Sequence, residues 1–161
     1  MANRPAVSTI VVDAMGGDKA PGVNVKGALQ ALQEDPSLRI ILTGDQEILK
    51  AELARRGAKE SEHLVILHAP ETISMEEHAA QAVRKKKNSS ISLGLELIKD
   101  NKADAFISAG NSGAVMAGAL FVLGRIANVE RPAIIVRLPT AEGFITLLDA
   151  GCCIAFVALD C

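Results

Sequence analysis

At 161 residues, 49% of them hydrophobic and with a formal net charge of −2, the chain can bury one real core and carries no global field that would steer it to nucleic acid. It has no Trp, no Tyr and only four Phe, so it also lacks the aromatic surface on which single-stranded bases stack. No nucleic-acid partner is expected.

The first apolar run lies within MANRPAVSTIVVDAMGG, is broken by Asp13, and reads as a strand over 8–14 rather than a secretory signal. A helical pattern over 23–33 follows, then a strand at 39–44 (RIILTG) and a helix over 46–56. Asp45 is placed to cap that helix, Arg55 and Arg56 sit at its end, and Gly57 follows it. The third strand, HLVILHA at 63–69, stops at Pro70; helical patterns over 76–87 and 89–100 come next, with Lys99 and Lys102 near the second C-terminus. ADAFISA at 103–109 is a fourth strand and 111–126 a fifth helix. PAIIVRL at 132–138 and GFITLLDAG at 143–151 complete the strand candidates.

The strand runs are continuously apolar, as expected for strands covered on both faces. Their alternation with helices predicts βαβ units, right-handed crossovers and a parallel sheet. The longest apolar run, Ala114–Gly124, falls short of the ~20 residues that cross a bilayer, and a soluble, cytoplasmic protein is expected. Cys152, Cys153 and Cys161 are odd in number, two of them adjacent, and no His lies near them. They read as small apolar fillers in a reducing compartment, with no metal site.

In an open parallel sheet ligands bind beyond the carboxyl ends of the strands, which singles out the loops after strands one, three and four. SAGNSG, ahead of the fifth helix, brings Gly110, Asn111, Ser112 and Gly113 to a strand-to-helix junction. Free N–H donors of a first helical turn favour phosphate or carboxylate, although the same residues also describe an N-capped buried helix with a tight entry turn. VDAMGGDKAP repeats the theme after the first strand: Gly16 and Gly17 permit unusual φ angles and Asp13 and Asp18 bracket the turn. It is not GxGxxG, and an ordinary Asp-capped turn is the alternative. In RKKKNSSIS, Lys85, Lys86 and Lys87 run into Asn88, Ser89 and Ser90, either a phosphate clamp or a solvated charged face.

His63, His68 and His78 are scattered, and MEEHAAQ is not HExxH. There is no GxSxG and no nucleophile–His–acid set. If acyl transfer occurs here, the attacking group is a bound substrate rather than a side chain.

VDAMGGDKAP, RIILTGD, RKKKNSSISLGLELIKDNKADAFISAGNSGAVMAGALFVLGRI, ERPAI, LPT and LLDAG, in that order, resemble the PlsX family of bacterial phosphate acyltransferases. The resemblance runs from about Ser8 to Gly151. It implies transfer of a fatty acyl group from acyl carrier protein to inorganic phosphate, giving acyl phosphate for phospholipid synthesis, with no cofactor. It also implies an isocitrate/isopropylmalate dehydrogenase-like α/β/α fold in three layers, a homodimer, and peripheral association with the membrane. Asn111, Lys87 and Asp13 are then the expected catalytic residues. Gly16, Gly17, Asp18, Asn88, Ser89, Gly110, Ser112 and Gly113 are expected to hold phosphate or substrate. The chain departs from the family pattern after LLDAG, so 1–151 is expected to be the amino-terminal part of an acyltransferase domain and 152–161 a divergent tail. A coenzyme A-dependent phosphate acetyl- or butyryltransferase, and a non-catalytic interaction fragment that uses the basic run 84–87 against an acidic carrier, are the alternatives.

Overall fold

A computed structural model describes residues 7–129 and 132–148. Eleven elements follow in the order β1 (Ser8–Asp13), α1 (Gly22–Glu34), β2 (Leu38–Gly44), α2 (Gln46–Arg55), β3 (Leu64–His68), α3 (Ala79–Lys85), α4 (Ser90–Lys99), β4 (Ala105–Ile107), α5 (Ser112–Val122), β5 (Ile135–Thr140) and β6 (Gly143–Leu148). The chain divides into two compact units at Gly124/Arg125, inside the expected 1–151 domain.

In the first unit, β1 to β4 form a sheet of order β3-β2-β1-β4. All its pairings are parallel, with Ile10, Val11 and Val12 opposite Ile40, Ile41 and Leu42 of β2 and opposite Ala105, Phe106 and Ile107 of β4. Because side chains alternate across a strand, the apolar runs feed two cores at once. Ile40 and Leu42 join Val25 and Ala28 of α1 and Leu49 and Leu53 of α2 on one face. Val11 and Ile41 pack on the other, with Leu97, Ile98 and Phe106 beside them. Beyond α4, the cluster of Val83, Ile91, Leu95, Ala114 and Ala117 binds α3, α4 and α5 together. The result is three layers with a parallel sheet in the middle, as expected.

The helix signals act as the residues dictate. Asp45 caps α2 by accepting from the N–H groups of Glu47 and Ile48, Arg55 lies in its last turn, and Gly57 takes a φ of 68°.

In the second unit, β5 and β6 pair antiparallel, from Ile135↔Leu148 to Thr140↔Gly143. This corrects the expectation that these strands extend the parallel series. Only Ala141 and Glu142 separate the paired ends, enough for a hairpin and far too short for a crossover. Arg137 stacks over the ring of Phe144 at 4.5 Å, a cross-strand contact. Residues 149–151 of the sixth predicted strand, the three cysteines and the expected tail lie outside the described residues.

Candidate functional site

From β1 the chain moves outward through β2 and β3, then returns to place β4 on the other side of β1. The strand order therefore reverses between β1 and β4, the position where open α/β sheets form a crevice. The three loops expected on one rim do meet there.

Gly16 and Gly110 bring two of them into backbone contact. A Cβ on Gly16 would stand 2.5 Å from Oδ2 of Asp13 and 2.8 Å from the Gly110 nitrogen, so no larger residue fits. Gly17, at φ 96°, lies against Ala109 in the same way. These glycines fit one loop to the other. Asp13, 2% exposed, ties the pair: Oδ1 accepts from the Met15 N–H at 3.1 Å and Oδ2 from the Ser108 hydroxyl at 2.7 Å. Ser108 Oγ in turn accepts from the Gly110 N–H at 3.0 Å. Asn24, projecting from α1, donates through its amide to the carbonyls of Asp13, Ala14 and Gly16, at 3.2, 3.1 and 2.8 Å. Asp18, in the same loop, is exposed.

Asn111 is the cap of α5 and is 8% exposed. Its Oδ1 accepts from the Ala114 N–H at 3.0 Å, and its Nδ2 donates to the carbonyls of Ser74, Met75 and Glu77 at 3.1, 3.4 and 3.3 Å. Its side chain is thus engaged within the protein, tethering the β3–α3 loop to the start of α5. The N–H groups of Asn111, Ser112 and Gly113 make no hydrogen bond among the described residues. Ser112 is exposed and Gly113, beside Ala79 of α3, is half-buried. Three successive main-chain donors therefore stand open at a helix start beside the strand-order reversal, a geometry suited to an oxyanion.

The basic run splits into two kinds of lysine. Lys86 reaches back to the Thr72 carbonyl and to Oε2 of Glu77, each at 2.7 Å. The Lys86 ammonium, followed by the Ser74 N–H, holds the Glu77 carboxyl below its ordinary value. Lys85 and Lys87 are exposed, and Arg84 lies over the ring of Phe121 at 4.8 Å. Ser89 caps α4 and is fully buried, accepting from the Ser92 N–H at 3.2 Å and donating to Ser92 Oγ at 2.9 Å. The N–H of Asn88 donates to Oε2 of Glu71 at 3.0 Å, and that of Ser90 to the Glu71 carbonyl at 3.1 Å. The β3–α3 loop connects the two helix starts, through Glu71 at one end and through Ser74, Met75 and Glu77 at the other.

Asn24, Ser108, Glu71 and the Lys86–Glu77 pair were not singled out in the sequence. Two carried a signal, Ser108 as a hydroxyl inside SAGNSG and Lys86 as a member of the basic run, but not its partner Glu77. The histidines do not converge: His63 Nδ1 bonds the Leu38 carbonyl, His68 Nδ1 accepts from the Gln46 N–H, and His78 is exposed at the start of α3. Among the described residues no cluster of His, Cys, Asp and Glu is arranged to hold a metal ion.

The same fold is found in the EutD phosphotransacetylase of Staphylococcus aureus and in a phosphotransacetylase of Streptococcus pyogenes. Each has a TM-score of 0.56, with 20% and 19% identity, over 87% of this chain and 45% and 46% of theirs. The chain thus has a phosphotransacetylase-like α/β fold with an open helix start at its strand-order reversal. Residues 8–157 match the family described as fatty acid synthesis protein, and the chain belongs to that family. Relatives called phosphate acyltransferase are 51% identical in Herpetosiphon aurantiacus and 55% identical in Pelotomaculum thermopropionicum, each over 142 residues and 88% of this chain. The match takes in 38% and 41% of those relatives, so the chain spans about two fifths of their length.

Proposed function

We propose that this chain supplies the phosphate-holding part of a site that moves a fatty acyl group from acyl carrier protein to inorganic phosphate. The observation that carries the reading is the open trio of N–H donors at Asn111, Ser112 and Gly113, in a chain whose relatives are called phosphate acyltransferase.

Phosphate held on these amides presents one oxygen to the thioester carbonyl carbon. A C–O bond forms, the tetrahedral intermediate collapses, the C–S bond breaks, and the proton of hydrogen phosphate ends on the departing sulfur. Holding phosphate and thioester together replaces a chance encounter with a near-unimolecular step. A directed N–H group is worth ~3 kcal/mol where negative charge develops. Gly110 sets the approach of the trio, and Asp13 acts on it through Ser108. Gly16 and Gly17 fit the facing loop against it, and Asp18 is exposed in that loop. Asn111 positions the trio by capping the helix and holding the β3–α3 loop. Lys87, exposed beside Asn88 and Ser89, adds positive potential without touching the anion.

A homodimer in the cytoplasm, associated peripherally with the membrane, completes the reading; among the described residues no helix is long and apolar enough to cross a bilayer. Thiol release from acyl carrier protein, assayed with and without phosphate in the full-length Pelotomaculum relative and in this chain, tests the reaction. Release should require phosphate and be much faster in the relative. Release that ignores phosphate, or that prefers acyl-coenzyme A, would overturn the proposal.

A further inference from the structure

The open helix start lies at the carboxyl ends of the strands; a second set of polar groups stands at their amino ends. The β1–β2 ladder puts Thr9 opposite Arg39, and the Ile40 N–H donates to the His63 carbonyl, which brings His63 in beside Arg39. Side chains alternate across a strand, so Thr9 and Arg39 share the face of Val11 and Ile41, two residues further on. With Val7, Glu62 and Val65, these three residues line an open cavity of about 450 Å3. Thr9 is roughly 13 Å along β1 from Asp13, so the cavity is separate from the start of α5.

The polar groups of this cavity are available, and their chemistry is mixed. His63 is half-buried and its Nδ1 lies 2.8 Å from the Leu38 carbonyl oxygen. A carbonyl only accepts, so in the neutral ring Nδ1 carries the proton and Nε2 keeps a bare lone pair. Arg39 and Glu62 are exposed, and among the described residues neither side chain makes an ion pair or a hydrogen bond. Two opposite charges thus line one cavity without meeting. The carboxylate of Asp104, next to Thr9 on the far side of the row, is already taken by the Thr9 N–H at 2.7 Å.

These groups define a ligand by complementarity. The forked N–H groups of Arg39 call for an oxyanion. Glu62 and the lone pair of His63 both call for an N–H donor, and one ammonium serves the two. Val7 and Val65 add apolar wall for a short run of methylenes. Neighbouring strands lie ~4.8 Å apart, which sets the separation of the two charges at about that distance.

We propose that this cavity binds a small zwitterion, an oxyanion and a primary ammonium joined by a short aliphatic chain. Its oxyanion sits on Arg39 and its ammonium between Glu62 and Nε2 of His63.

Titration calorimetry of this chain with γ-aminobutyrate, an extended zwitterion of that span, tests the site. It should bind at least tenfold tighter than butyrate or butylamine, each of which carries half of the ligand. Phosphoethanolamine, titrated alongside, tells whether the oxyanion is a phosphate or a carboxylate. Arg39→Gln and Glu62→Gln should each weaken the zwitterion roughly tenfold, and both should melt as the parent chain does because the side chains are exposed. Lys50→Ala, exposed on α2 outside the cavity, should change neither reading. The proposal is overturned if the zwitterion binds no better than its halves, or binds equally well in Arg39→Gln and Glu62→Gln. Binding that is lost in Ser112→Pro and kept in Arg39→Gln would also overturn it, because the ligand would then sit at the start of α5.

Discussion

The starts of α4 and α5 look alike on paper, each a polar capping residue followed by serine, and the structure uses them in opposite ways. At α4 the cap Ser89 and the next residue Ser90 are buried, and the amides of Asn88, Ser89 and Ser90 bond to Glu71 and Lys86. A carboxylate, from Glu71, already occupies the place an anion would take. At α5 the cap Asn111 spends its side chain on the protein and leaves three amides unbonded. A helix N-terminus therefore becomes an anion site only when the fold leaves its donors open. Here the β3–α3 loop makes the difference: it contributes a carboxylate to one start and only carbonyls to the other.

The largest expected effect breaks the open start from behind. Asn111→Ala removes a helix cap and frees three loop carbonyls, and should cost about 2–4 kcal/mol in thermal or urea unfolding. Its phosphate affinity should also fall, because the β3–α3 loop loses its tether. Ser89→Ala should cost about 1–2 kcal/mol and leave phosphate affinity unchanged. Equal losses of phosphate affinity in the two variants would erase the distinction between the helices.

A pair of proline substitutions sharpens it further. Ser112 and Ser90 are each the first residue of their helix, where proline is tolerated and removes one N–H. Both preceding residues are already extended, as a residue before proline must be. Ser112→Pro should keep its stability within about 0.5 kcal/mol, yet weaken phosphate binding roughly tenfold to a hundredfold, the worth of one charge-assisted hydrogen bond. Ser112→Ala separates the hydroxyl from the amide and should have the smaller effect. Ser90→Pro removes the bond to the Glu71 carbonyl, so it should cost about 1–3 kcal/mol and leave phosphate untouched. Phosphate titration and thermal melting of the three variants read both outcomes.

Much of this architecture was legible in the residues. β-Branched runs marked β1 to β4, the 3.6-residue pattern marked all five helices, and the rule for strand ends brought the correct loops to one rim. The pairing of β5 with β6 was hidden because a strand pattern does not say which neighbour it takes; the short gap between the two runs, which the structure narrows to Ala141 and Glu142, held that information. At the site, residue types suggested which groups could bind an anion but not which were already in use. Ser89 and Asn111 both carry capping side chains, and only the position of the β3–α3 loop distinguishes their helices. The lysine run posed the same problem, since Lys86 is claimed by Glu77 while Lys85 and Lys87 face outward. Asn24 escaped notice because its three partners are carbonyls of a loop 8 to 11 residues earlier in the chain.

The loop itself should respond to acid. The Glu77 carboxyl titrates below its ordinary value in the folded chain, so its stabilising contribution is present above the unfolded value and is lost as pH falls through the folded one. Amide exchange at Ser74, whose N–H donates to Glu77, should therefore accelerate, relative to its intrinsic rate, as pH falls below the ordinary glutamate value. Lys86→Met should move that transition to higher pH, because the main cause of the lowered value is gone.

The smallest effect is expected at Lys87. It is exposed, and the hydrogen bonds beside it belong to the closed helix start, so a phosphate at the proposed site should feel it only through solvent. Lys87→Ala should weaken phosphate binding by about twofold at low ionic strength, and the difference should vanish near ~1 M salt, where the Debye length is about 3 Å. Lys87→Glu should roughly double the low-salt effect on a logarithmic scale. A salt-resistant tenfold loss in Lys87→Ala would mean that the ammonium touches the anion directly. Both helix starts would then grip one phosphate, and the contrast between them would lie in how each contributes rather than in which is open.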